Sequence, residues 1–233
     1  MRVLAIGAHP DDLEILCAGT LAKYISLGHE VIMCHVGSGD MGHMIIEPDE
    51  LKVIRRNEAI SAANIIGAKS MTLEIRDGFH FEDEAAVMKY VDMFREANPD
   101  LIITHAPEDY MPDHITTSNL VMHASFNATF PHLHTAFEMV HGVIPVYFMD
   151  TLTGLGFTPT EFVDISDFLE TKINMLKCHD SQIAWLRDHS KFDMLDAVTT
   201  SAKYRGYQCG VTYAEGFRPA NMWLRQKPER LLP

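Results

Sequence analysis

Apolar and polar positions along this chain switch period several times, and each switch marks a change of element. "RVLAIGA" near the start and "HEVIMCHVG" from His29 are short apolar runs with β-branched residues, the pattern of strands buried on both faces. Between them, in "LEILCAGTLAKYISLG", Leu13, Leu16, Cys17, Leu21, Tyr24 and Ile25 recur at three- and four-residue spacing. That is one stripe of a helix, and Gly28 is a natural stop. The three segments predict a βαβ unit. The same alternation predicts a helix over about residues 49–66, a strand at "SMTLEI", a helix over about 84–97, a strand at "DLIITHA" and a helix opening near His114. Strands alternating with helices imply an α/β fold of Rossmann-like order, a mostly parallel sheet with helices on both faces.

After about Thr129 the pattern is less regular. "IPVYFMDT" and "TEFVDI" read as strands, "SDFLETKINMLKCHD" as a helix and "CGVTYAEGF" as a terminal extended segment. No linker, repeat or low-complexity tract divides the chain, so residues 1–233 are expected to form one domain. The part from about 130 would complete it and wall its site.

Composition narrows the partners. The 233 residues are 47% hydrophobic, enough for one substantial core, and carry a net charge of −13. That charge argues against a nucleic acid or an anionic membrane as partner. Cys17, Cys34, Cys178 and Cys209 are far apart and form no CxxC pair, as expected of reduced thiols in a cytoplasmic protein. The start reads directly as a strand rather than a secretion signal, and no stretch approaches the ~20 apolar residues of a membrane span. Self-association into a homo-oligomer is left open.

"IGAHPDDLEI" places His9, Asp11, Asp12 and Glu14 just after the first strand. In a doubly wound sheet, ligands bind beyond the carboxyl ends of the strands, where the strand order reverses. A dinucleotide would need a glycine-rich turn, and none is present; two acids there would repel a pyrophosphate and welcome a cation. "THAPEDYMPDHITTS" follows the fourth strand and should face the same crevice. Two histidines and one or two aspartates converging there resemble a catalytic zinc site with a fourth position open for water. The alternative use of Asp11 and Asp12, capping a helix, leaves His9 and the second cluster without a role.

"AHPDDLE", "RRNEA" and "PDH", in that order and spacing, resemble the LmbE-like (PIG-L) family of zinc-dependent N-acetylglucosaminyl deacetylases. The likeness covers the N-terminal half and extends more loosely to "HDSQ" and "YAEGF". It implies His9, Asp12 and His114 as metal ligands, zinc or a similar divalent ion as cofactor, and Asp11 as general base. It also implies a small-molecule N-acylated amino sugar or conjugate as substrate, with Arg55 helping to bind it. Asp40, in the glycine-bearing turn "GSGDMG", is a candidate acceptor for sugar hydroxyls. Glu14 either suits the helix dipole or orients a ligand histidine; Asp113 and Asp109 either buttress ligands or cap the next helix.

One departure stands out. Many relatives carry, two residues before the Asp of PDH, a histidine associated with the tetrahedral oxyanion. Met111 occupies that place here and cannot donate a hydrogen bond. His179 is the candidate replacement, with His132 and His134 behind it. Rival readings are metal-assisted hydrolysis of another bond, such as a phosphoester, and a non-catalytic metal- or sugar-binding module.

Overall fold

Every residue of β1 (Arg2–Gly7) after Arg2 is buried, as its unbroken apolar run requires of a strand covered on both faces. It pairs in parallel with β2 (Glu30–Gly37) on one side and β4 (Leu101–Thr104) on the other. Beyond them β3 (Lys69–Ile75) pairs with β2 and β5 (Val146–Met149) with β4, again in parallel. Two antiparallel strands, β6 (Glu161–Asp164) and β7 (Ala214–Pro219), finish a seven-stranded sheet of order β3-β2-β1-β4-β5-β7-β6. The computed structural model describes residues 1–233. The order runs one way from β1 through β2 and the other way through β4, so the crevice beyond their carboxyl ends is the switch point.

Alternate residues of β1 enter two cores. Val3 and Ala5 pack with Leu13, Leu21 and Tyr24; Leu4 and Ile6 pack with Tyr90, Phe94 and Val121. The first core is covered by α1 (Asp12–Leu16), α2 (Ala18–Ser26) and α6 (Leu169–Leu176), and receives Ala62 and Ala63 from α3 (Pro48–Ile66). The second is covered by α4 (Glu84–Ala97) and α5 (Pro112–Asn127). Asp83 caps α4 by accepting the Ala86 N–H, and Gly67 ends α3 in the left-handed conformation. No helix is long and apolar enough to cross a membrane.

The structure departs from the periodicity in two places. The helix expected across "LEILCAGTLAKYISLG" breaks at Cys17 (φ −145°, ψ 8°) into α1 and α2. The break is braced from far along the chain. Glu215 on β7 accepts the Gly19 N–H (3.0 Å) and the Thr20 N–H (2.7 Å), while Lys172 on α6 donates to Glu215 (2.5 Å) and to the Ile15 carbonyl (2.8 Å). A charged pair thus serves the free backbone groups of two helix ends. The second departure is a pair of helices, α7 (Asp180–Ser190) and α8 (Met194–Cys209), where no helix was expected beyond "KCHD". The buried positions of α8 include Met194, Val198, Ala202 and Gly206, every fourth residue but shrinking to alanine and glycine, so the apolar stripe fades along the helix. Asp193, whose side chain accepts the Asp196 N–H, and Gly210 after the end are the local signals that mark it.

Candidate metal centre and active site

The loop after β1 and the start of α5 bring His9, Asp12 and His114 together, with one donor atom from each lying within 4.8 Å of the others. His114 Nδ1 meets Asp109 Oδ2 at 3.0 Å, leaving Nε2 3.3 Å from Asp12 Oδ1, buried and without a hydrogen-bond partner. His9 Nε2 meets Asp113 Oδ2 at 3.1 Å, leaving Nδ1 3.5 Å from Asp12 Oδ2. Each imidazole therefore gives one nitrogen to a supporting carboxylate and turns the other toward Asp12, the arrangement that fixes tautomer and ring direction in metal sites. Burial lowers the basicity of both rings, but the surrounding carboxylates outweigh it and raise His9 to about 10 and His114 to about 9. So dense a set of acids calls for positive charge, which a divalent cation supplies as well as protons do.

Asp11 stands apart from this trio. It has φ 127°, strained for any residue with a side chain, at a cost of about 1–3 kcal/mol. Pro10 restricts the chain before it, and Arg55 on α3 donates to the Pro10 carbonyl while its Nη2 lies 3.3 Å from Asp11 Oδ2. The strain turns consecutive carboxylates apart. Burial pushes the Asp11 carboxyl up, against the pull of Arg55. Gly39, at φ +72°, allows Arg55 to lie there, because a Cβ at that position would come within 2.6 Å of the Arg55 Cδ.

These groups open on a cavity of about 740 Å³, within the range of small-molecule sites. His9, Asp11, Asp12, Arg55 and His114 all line it, as do Asp77, Asp113, Met111 and Gln182. Asp40 and His179 do not. Asp40 accepts the Asp77 N–H (3.0 Å) and lies 3.4 Å from Arg76 Nε, so it organises the wall from behind. His179 is fully buried at the start of α7, with Nε2 3.4 Å from Glu14 Oε2. Glu14 also sits 3.5 Å from His35 and touches neither His9 nor His114. His132 and His134 lie exposed after α5. Met111 is the N-cap residue of α5, where no side chain caps the helix; Asp113 and Asp109 instead bond to the histidines.

His105 was passed over in the sequence although it sits one residue past β4. Its ring stacks on His114 at 3.8 Å, and Nε2 accepts the Ala8 N–H (3.0 Å) while lying 3.2 Å from Asp12 Oδ2. Burial and the neighbouring His114 lower it to about 4, so it packs as a neutral ring behind the cluster. A second donor group, His105, Asp109 and His114, is fully buried, and two of its members lie off the cavity.

Fold and site together define an α/β protein with a histidine–carboxylate cluster at its switch point. Residues 4–125, more than half of the chain, match the PIG-L family, GlcNAc-PI de-N-acetylase, and the chain belongs to it. It is 28% identical over 228 residues to the diacetylchitobiose deacetylase of Thermococcus kodakarensis, covering 93% of this chain and 82% of that protein. It is 26% identical to the 4-oxalmesaconate hydratase of Pseudomonas putida, with 92% and 87% covered. Among solved structures, the N,N'-diacetylchitobiose deacetylase of Pyrococcus horikoshii, bound to an inhibitor, superposes with a TM-score of 0.82 at 27% identity, covering 94% of this chain and 83% of that one.

Proposed function

We propose that the protein is a metal-dependent hydrolase that removes an acetyl or other small acyl group from the amide nitrogen of an amino sugar or its conjugate. The observation that carries this reading is the division of two adjacent acids: Asp12 packed among imidazoles, Asp11 turned into the cavity against Arg55. His9, Asp12 and His114 would hold the cation, and the unpartnered Nε2 of His114 fits that use. Two imidazoles and a carboxylate suit zinc and admit other divalent ions. When bound, such an ion supplies Lewis acidity, lowering the pKa of a water and polarising the amide carbonyl.

The chain's own residues do the rest. Asp11 accepts the proton of the attacking water and returns it to the leaving amine, one carboxylate serving in turn as base and acid. Arg55 presents a fixed guanidinium to a substrate oxygen, and Asp113 and Asp109 hold the imidazoles in register. Met111 lines the cavity and His179 lies off it, so Arg55, Tyr110, Gln182 and Trp185 are the side-chain donors of the cavity wall besides the two imidazoles. The four cysteines are free thiols, in keeping with a cytoplasmic enzyme. The whole chain works as one unit, since β7 joins the sheet and α7 contributes to the cavity.

The test is elemental analysis of the purified protein followed by amine release from a panel of N-acetylated glycosides. Asp11→Asn should keep the metal and lose turnover; loss of metal in that variant would reverse the roles of Asp11 and Asp12. A second reading, hydration of an unsaturated acid, is favoured by the likeness to a hydratase. Water addition to such an acid without any amine release would establish it.

A further inference from the structure

A second cavity, about 790 Å³, lies between α3 and the edge strand β3, and the proposed deacetylation makes no use of it. The pattern of the strands creates it. On β3, Met71, Leu73 and Ile75 pack against the second core, so the alternate face carries Ser70, Thr72 and Glu74 toward α3. On β2, Val31 and Met33 enter the first core, and the next residue on that face is His35. The apolar face thus ends in polar groups, and α3 lies across them with Lys52, Val53 and Arg56. His35 lines the cavity and is 1% exposed; its Nδ1 has no hydrogen-bond partner, and its Nε2 sits 3.5 Å from Glu14 Oε2. A buried nitrogen left open costs about 1–3 kcal/mol unless a ligand or water reaches it.

The two cavities share no lining residue, yet consecutive residues face opposite cavities at four places. Pro10 lines the second between His9 and Asp11 in the first. Asp40, Arg56 and Arg76 line the second next to Met41, Arg55 and Asp77 in the first. Cross-links run through this thin wall: Arg55 donates to the Pro10 carbonyl, and Asp40 accepts the Asp77 N–H. A ligand pressing on the wall from the second cavity therefore acts on the groups that hold Asp11 and Arg55.

The charges of the lining select the ligand. Arg76 lies 3.4 Å from Asp40, Lys52 lies 2.6 Å from Asp49, and Arg56 pairs with Glu74. An anion would compete with an acid for each of these cations. Sugar hydroxyls donate and accept at once, so they can bridge such pairs without separating them, and Ser38, Ser70 and Thr72 add further hydroxyls. Asp40, Glu47, Asp49 and Glu74 face only three cations, which leaves Glu47 over for an ammonium.

We propose that the second cavity is a noncatalytic site for a free amino sugar, hydroxyl-rich and carrying an ammonium, and that its occupancy slows turnover through the shared wall. Under the deacetylase reading this is the product class, and the regulatory half of the inference rests on that reading.

Calorimetric titration of the metal-loaded full chain with glucosamine and with glucose, neither of which has an amide to cleave, tests the site directly. Glucosamine should bind more tightly by up to about fivefold, the worth of an exposed ion pair, and Glu47→Gln should remove that margin. Val53→Trp, at a position 51% exposed and outside the catalytic machinery, fills the cavity and should weaken one glucosamine binding event by about tenfold or more. Glucosamine binding unchanged in Val53→Trp, or a margin over glucose that survives Glu47→Gln, overturns the site. Against an N-acetylated glycoside, glucosamine should lower kcat in the wild type and act on KM alone in Val53→Trp; an effect on KM alone in both proteins overturns the coupling. Loss of glucosamine binding in Val53→Trp, with no amine released from any N-acetylated glycoside by the wild-type chain, keeps the sugar site and overturns the deacetylase reading instead.

Discussion

Replacing Glu215 with Gln keeps the shape of the brace between β7 and the α1–α2 break but removes its charge. In the folded chain Glu215 and Lys172 are both buried, and the carboxylate accepts two backbone N–H groups besides the ammonium. Neutralising it leaves the Lys172 ammonium buried without a counter-charge, a defect that costs about 3–5 kcal/mol. For a chain of this size that corresponds to a fall in Tm on the order of 10 °C. The assay is thermal unfolding followed by circular dichroism at fixed metal concentration, with Lys172→Met and the double variant completing a cycle. Because Lys172→Met removes the stranded charge, the double variant should lose clearly less stability than the two single losses added together. A Glu215→Gln protein melting within about 2 °C of the wild type, or a strictly additive cycle, would refute the claim that this pair holds the break.

Three further outcomes follow from the site. Asp113→Asn, which alters the group that receives His9 Nε2, should weaken metal affinity by about 10–100-fold with little change in fold, as read by competition with a chromogenic chelator. Gly39→Ala should cut kcat/KM sharply, because its Cβ would displace Arg55 and its φ of +72° strains any side chain; unchanged kinetics would exclude Arg55 from substrate binding. Asp11→Gly should abolish turnover and be more stable than Asp11→Ala by about 1 kcal/mol or more, since both lose the Arg55 pairing but only glycine accepts φ 127° without strain; denaturant titration of the two variants checks the sign.

The parallel sheet and the meeting of two loops were legible in the chain because both follow from short-range pattern. Periods of buried strands and amphipathic helices fix which elements form, and the order of a doubly wound sheet puts the ends of β1 and β4 side by side. His9, Asp12 and His114 needed nothing more to be brought together. What periodicity does not carry is which partner a polar group takes up when its neighbour lies a hundred or more residues away. Asp113 looks like a cap of α5 and instead bonds to His9, 104 residues away, while Asp109 turns to His114 within its own loop and helix. His179, read as a group at the site, is drawn into the interior by Glu14, and Asp40 turns to Arg76 and the Asp77 backbone rather than into the cavity.

The C-terminal third illustrates the same division from the side of packing. The strand in "CGVTYAEGF" could be read, but its pairing between β5 and β6, and its glutamate reaching back to the break at Cys17, depend on which surfaces the earlier elements leave uncovered. The buried residues of α7 are Ser181 and Gln182 and those of α8 include Ala202, Arg205 and Gly206, so the apolar signal of both helices is diluted. By itself the sequence determined the strands and helices of the N-terminal half and the residues able to bind a cation. Tertiary structure alone decided which carboxylates support them, which histidine is buried away, and which apolar side chains stand open beside the site, since each depends on contacts between segments that no local period encodes.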